Sequence, residues 1–134
     1  MKIYIAYKLS NTDFAFLKDM LMKIDSIIKE LGHETFIFVR DIQNWQPVQT
    51  DPKIVMTKAM ANMKKCDAII TVIQSVEKGE GLMLESGFMK GIGKKVIVAN
   101  GPNSRAILLN GMADFSFEYK DLDEFKEKLR KILG

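Results

Sequence analysis

Short apolar runs alternate along this chain with longer stretches in which apolar residues return every three or four positions. Residues 2–7, Lys-Ile-Tyr-Ile-Ala-Tyr, read as a strand. Phe14, Leu17, Leu21, Ile24, Ile28 and Leu31 then recur at helical spacing, with Ser10 or Asn11 as the cap and Gly32 as the stop. Residues 35–39 predict a second strand, and a polar loop carrying Trp45 and Pro47 runs from Arg40 to about Thr50. Thr50 or Asp51 caps the next helix, whose first turn takes Pro52 and whose stripe is Val55, Met56, Ala59, Met60 and Met63. Residues 67–73 are nearly all apolar or β-branched, as a central parallel strand should be. A glycine- and glutamate-rich loop, 75–81, leads into a helix over 82–92, and residues 95–99 form a fourth strand. After a turn at 100–103 come a short helix over 104–110 ended by Gly111 and a fifth strand over 115–119. Asp121 with Glu124 predicts a capping box on a last helix.

Strands alternating with helices predict an α/β fold, here a three-layer sandwich on a five-stranded parallel sheet. Right-handed crossovers give the flavodoxin-like strand order 2-1-3-4-5. In such a sheet a ligand sits beyond the carboxyl ends of the strands, beside the point where the order reverses. The loops over 7–12, 75–81 and 99–104 are therefore expected around one crevice.

Composition narrows the function. The 134 residues are one domain's worth, and at 47% hydrophobic they bury an ordinary core, so residues 1–134 read as a single domain. One cysteine, Cys66, and one histidine, His33, leave no internal disulfide and no Cys/His zinc cage. No metal or redox cofactor is implied. The opening run is too short for a signal peptide, and no apolar run approaches the ~20 residues of a membrane span. A cytoplasmic protein without a membrane partner is expected. The net charge of +3 is spread over dispersed lysines, which argues against nucleic acid as a partner while suiting a small anion.

Glu85 stands near the start of the helix after the third strand, among apolar or small residues. A carboxylate there either complements the helix dipole or points into the crevice. Gly87 weakens that helix unless something approaches it closely, which favours a site. Lys8, just past the first strand, meets a phosphate or is simply solvated. Trp45 stacks on a base or, more in keeping with loop tryptophans, folds over the core or a subunit contact. The Met56, Met60, Met63 stripe is core packing by default, with a dimer seam as the alternative. Asp67 anchors the start of the third strand.

The run from Asp67-Ala-Ile-Ile-Thr-Val through Gly81-Leu-Met-Leu-Glu85-Ser-Gly87-Phe to Gly-Lys-Lys-Val-Ile-Val resembles the nucleoside 2-deoxyribosyltransferase family, which includes 2'-deoxynucleoside 5'-monophosphate N-hydrolases and cytidine monophosphate hydrolases. Residues 3–6, Ile-Tyr-Ile-Ala, are similar to its first strand. The resemblance implies a nucleoside or nucleotide substrate cleaved, or transferred, at its N-glycosidic bond through a covalent glycosyl-Glu85 intermediate, with Tyr4 orienting the nucleophile. It implies a homodimer in which a neighbour completes each site. Ser104, with Arg105 beside it, falls in the stretch that holds a 5'-phosphate; Lys8, Gly79 and Gly81 are the other candidate substrate-binding residues. Two positions depart from the family. Ala59 stands where an aspartate helps the base leave, and Gly79 where an acid or a phosphate-binding serine is usual. Asp13, Asp51 or Glu80 are the candidate substitutes. The alternative is a nucleotide-binding module without catalysis. A receiver domain is excluded, because neither the first nor the third strand ends in the acidic residues it needs; a TIR-like NAD-cleaving domain also carries a helix glutamate.

Overall fold

The computed structural model describes residues 1–47, 51–77 and 79–134. Five strands, β1 (Lys2–Ala6), β2 (Glu34–Ile37), β3 (Ala68–Ile73), β4 (Lys95–Asn100) and β5 (Phe115–Glu118), form one sheet in the order β2-β1-β3-β4-β5. Every pairing is parallel. The sheet is the expected α/β sandwich, with the order reversing between β1 and β3.

Helices cover both faces, and the period of two along the strands assigns side chains to them. Ile3 and Ile5 join Ile70, Val72 and Ile97 beneath α1 (Phe14–Glu30) and α6 (Leu122–Leu133). Tyr4 and Ala6 point the other way, with Ile69, Ile73, Val96 and Val98, beneath α3 (Pro52–Lys64), α4 (Glu80–Gly91) and α5 (Ile107–Met112). Tyr4 thus faces α4 because of its parity on β1.

The ends of the elements show which local signals prevailed. Asp13, not Ser10 or Asn11, caps α1 by accepting from Phe16 N at 3.1 Å. Asp51 caps α3 through Lys53 N at 2.9 Å, and Thr50 lies outside the described residues. Asp121 caps α6, while Glu124 accepts from the N–H of Lys120, one residue before the cap. The second strand stops at Ile37 rather than 39, because the chain turns into a short helix, α2 (Phe38–Asp41). Asp41 accepts the Ile37 N–H at 2.8 Å, and the Val39 N–H goes to the Tyr7 hydroxyl at 2.8 Å. The helix expected over 104–110 starts later, at Ile107, and Gly111 lies inside it. The preceding residues are held in a turn, where Asn100 Oδ1 accepts the Ala106 N–H.

Two smaller readings, on Asp67 and Trp45, also find their geometry. Asp67 anchors the edge of β3 by accepting the Lys2 N–H at 2.8 Å. Trp45 packs on the α1 side of the core with the Lys18 ammonium 5.0 Å from its ring centroid. Cys66 is buried, and burial pushes its thiol up to about 11, an inert setting.

A charged cluster away from Glu85 centres on the buried Asp25. Asp25, on α1, meets Lys29 at 2.9 Å and Arg40 at 3.1 Å, and accepts the Thr35 hydroxyl. Arg40 also donates to the Thr35 carbonyl at 2.9 Å, so the cluster joins α1, β2 and α2. Burial raises the Asp25 pKa, but the Thr35, Lys29 and Arg40 contacts outweigh it and hold it below the ordinary 3.8. Without Asp25, Arg40 keeps Asp41 and the Thr35 carbonyl and the exposed Lys29 returns to water, so what is lost is the set of charge-assisted bonds to the Asp25 carboxylate. Asp25→Ala should therefore lower the unfolding free energy at pH 7 by about 1–3 kcal/mol in urea titrations. A depressed folded-state pKa stabilises above the unfolded value and loses that contribution as pH falls through the folded one. The deficit of the variant should accordingly shrink below about pH 4.

Candidate active site

The Glu85 carboxyl accepts the Tyr4 O–H across the space between β1 and α4. Tyr4 is 1% exposed and stacks on Phe36, with ring centroids 5.3 Å apart, so the phenol has little room to move. On α4, Leu82, Ser86 and Met89 turn inward. Ser86 Oγ spends its proton on the Leu82 carbonyl at 2.7 Å, so its 2.7 Å contact with Thr71 Oγ1 has Thr71 as the donor. This buried bond bolts α4 to β3 one residue after Glu85 and fixes the helix's rotation. Glu85 is left on the flank that faces the end of β1.

A cavity of about 420 Å³ opens at that flank, at the carboxyl ends of β1 and β3. Val55, Met56 and Ala59 of α3 and Phe38 of α2 form its apolar walls, and Tyr4, Tyr7 and Glu85 supply polar groups. Burial pushes the Glu85 carboxyl up from 4.5 to about 7, and the Tyr4 hydrogen bond offsets only part of that rise. Tyr4 itself is held far above its ordinary value, first by burial and then by the Glu85 charge. It is therefore a permanent donor to Glu85. A carboxylate with a pKa near neutrality in a cleft, oriented by a fixed donor, is the pattern of a nucleophile or base.

The cavity's mouth carries a cation. Lys8 is 7% exposed as a residue, and its Nζ meets Glu77 at 3.2 Å. Gly79 makes this possible. It has φ +83°, and a Cβ on it would lie 3.2 Å from Lys8 Cγ. Gly79 is also the N-cap of α4 and offers no side-chain acceptor, so the first-turn N–H groups of α4 stand uncapped beside Lys8. An ammonium next to a helix N-terminus attracts an anion.

Of the residues singled out from the sequence, Tyr4, Lys8, Gly79, Gly81 and Glu85 line this one cavity. Ser104 and Arg105 lie elsewhere, in a separate depression of about 390 Å³ with Lys120 and Lys128. Ser104 Oγ is turned to the Gly101 and Ile73 carbonyls, at 2.8 and 3.1 Å, and locks the turn after β4. The approach there is tight, since a Cβ on Gly101 would come within 2.8 Å of the Ile73 carbonyl oxygen. Gly87 is exposed, and a Cβ there would meet nothing within 4 Å, so no close approach within the described chain explains it. Ala59 faces the cavity as an apolar wall. Of the three candidate substitute acids, Asp13 and Asp51 serve as helix caps, and only Glu80 lines the cavity, at its exposed rim. Tyr7 and Phe38 were not singled out. Their signal is weak because each sits just beyond its strand, where period-two parity no longer says which way a side chain faces.

Comparison with known proteins identifies the fold and the family. No curated protein matches the sequence significantly. Solved structures share the fold at low identity. A CMP N-glycosidase of Clostridium botulinum is 18% identical with a TM-score of 0.71, over 98% of this chain and 99% of that one. A 2-deoxyribosyltransferase of Bacillus psychrosaccharolyticus is 17% identical with a TM-score of 0.70, over 94% and 90%. A conserved protein from Enterococcus faecalis V583 is 13% identical with a TM-score of 0.73, over 98% and 96%. The sequence model of nucleoside 2-deoxyribosyltransferases matches residues 3–122, and on that match the chain belongs to the nucleoside 2-deoxyribosyltransferase family.

Proposed function

We propose that the protein cleaves or transfers at the N-glycosidic bond of a nucleoside or nucleoside 5'-monophosphate, with Glu85 as the nucleophile. The observation that carries this reading is the Tyr4–Glu85 pair in an apolar-walled cavity. A Glu85 carboxylate oxygen attacks the anomeric carbon, and the base departs with the electron pair of the broken C–N bond. The glycosyl ester so formed is opened by water or by a second base. Tyr4 holds the carboxylate toward the sugar throughout. Lys8 and the uncapped first turn of α4 suit the anionic end of a 5'-monophosphate. The apolar wall at Ala59 favours, as a second reading, binding without turnover.

Incubation with deoxynucleosides, ribonucleosides and their 5'-monophosphates, followed by chromatography for free base, separates the two. The expected result is base release by the wild type and a loss of at least about 10³-fold in Glu85→Gln, with a glycosyl mass adduct on Glu85 in quenched wild-type reactions. Saturable nucleotide binding without release would favour the binding module.

Glu85→Gln should also be more stable than wild type. A carboxyl whose pKa is raised on folding stabilises below its unfolded value of 4.5 and loses that contribution as pH rises through about 7. At pH 8 the neutral amide avoids the buried charge, and a gain on the order of 1–2 kcal/mol in unfolding free energy is expected.

The pH profile tests the same group. The ionised carboxylate is the attacking form, so kcat/KM should rise with pH to a plateau above about 7. Tyr4→Phe removes the contact that lowers the Glu85 pKa, so its rising limb should move to higher pH.

We further propose pairing through the α3–α5 side. Ile54, Leu84, Ile107 and Leu108 are 50–89% exposed there, and Gly87 and Gly91 leave the outer side of α4 open. Light scattering on a sizing column should give a dimer for the wild type and a monomer for the Leu84→Asp, Leu108→Asp double variant.

A further inference from the structure

Among the described residues, Ala59 stands in the cavity wall where the resemblance would put an acid for the departing base, Glu80 lies only at the exposed rim, and Tyr7 faces the same space. This inference rests on the glycosidic reading above. Tyr7 is the first residue past β1 and lines the cavity together with Glu85. Its hydroxyl oxygen accepts the Val39 N–H at 2.8 Å. That bond fixes the phenol oxygen and occupies one lone pair, yet leaves the O–H proton uncommitted. Among the described residues, the Tyr7 hydroxyl donates no hydrogen bond.

Ser10 and Gln43 also line the cavity, but an alcohol and an amide are far weaker acids than a phenol, and its stronger polar groups are committed or lie at the rim. The Tyr4 proton goes to Glu85, and the Lys8 ammonium meets Glu77. Glu80 lies at the exposed rim in the first turn of α4. Ala59 offers nothing to donate. The Tyr7 phenol is also kept protonated, because burial raises its pKa, the Val39 contact opposes this only in part, and the Glu85 charge raises it further. It stays a donor while Glu85 ionises.

We propose that Tyr7 is a further catalytic residue, donating its hydroxyl proton to the leaving base. As the anomeric C–N bond breaks, its electron pair passes to the base and the Tyr7 proton neutralises the charge that develops there. The Val39 N–H steadies the resulting phenolate. When water opens the glycosyl ester, one of its protons returns to Tyr7, and the hydroxyl oxygen goes to the sugar. The help is greatest for bases that leave poorly and vanishes for bases that are good leaving groups unaided.

The test is a series of ring-substituted substrates, of whichever base class the wild type cleaves, graded in leaving-group ability. Tyr7→Phe should lose about 10²-fold or more in kcat/KM on the poorest leaving group and little on the best, steepening the dependence on base acidity. The ratio between two substrates on one enzyme preparation does not depend on the fraction of that preparation folded. Should Tyr7→Phe not fold, 3,5-difluorotyrosine in place of Tyr7 keeps the ring and makes a stronger acid. It should speed the poorest leaving group relative to the best. An equal loss across the series, or no response to fluorination, overturns the role of Tyr7 and leaves Glu85 untouched. Failure of the wild type to release any base overturns the glycosidic reading, and the Tyr7 step with it.

Discussion

A carboxyl group cannot be kept beneath an apolar wall without something to hold it, and here the holder is a phenol on the adjacent strand. The Tyr4–Glu85 bond joins the first strand to the helix after the third, the two elements that flank the point where the strand order reverses. Its geometry depends on decisions made far below the level of a site. The parity of β1 turns Tyr4 toward α4 while Ile3 and Ile5 turn toward α1 and α6. The stacked Phe36 fixes the ring, and the Thr71–Ser86 bond fixes the helix. Change any of these and the carboxyl loses either its direction or its donor.

The chemistry gathers at one end of the sheet for a related reason. Inside a parallel sheet covered on both faces, most strand side chains are committed to packing. The first residues released from that constraint are those just past the strands, and Tyr7 and Lys8 are such residues. The same freedom lets Gly79 take a left-handed conformation that no larger residue would adopt comfortably, and so lets the stem of Lys8 lie down against α4.

Much of this was legible in the sequence. The apolar run over 68–73 and the helical stripes pointed to the layers and the strand order, because apolar periodicity is what folding itself responds to. Glu85 stood out as an acid among apolar neighbours, and Tyr4 only through the family resemblance. What escaped was set by partners distant in sequence. Nothing near Ser104 says that its hydroxyl will be taken by the Ile73 carbonyl, thirty-one residues away. Nothing near Val39 says that its N–H will leave the sheet for a tyrosine hydroxyl, which is why β2 ends two residues early. Gly87 misled for the opposite reason. Its missing side chain answers to nothing inside the described chain.

Asp25 and Glu85 draw the protein in opposite directions as acidity changes. The Asp25 cluster is at full strength once the medium is less acid than about pH 4, whereas Glu85 burdens the fold progressively as it ionises toward pH 7. As far as these two groups decide it, the folded state is most secure at about pH 4 to 4.5, and the Glu85 contribution drains away above that. There the carboxyl is protonated and a poor nucleophile. Raising the pH to arm it would loosen the fold by the same act.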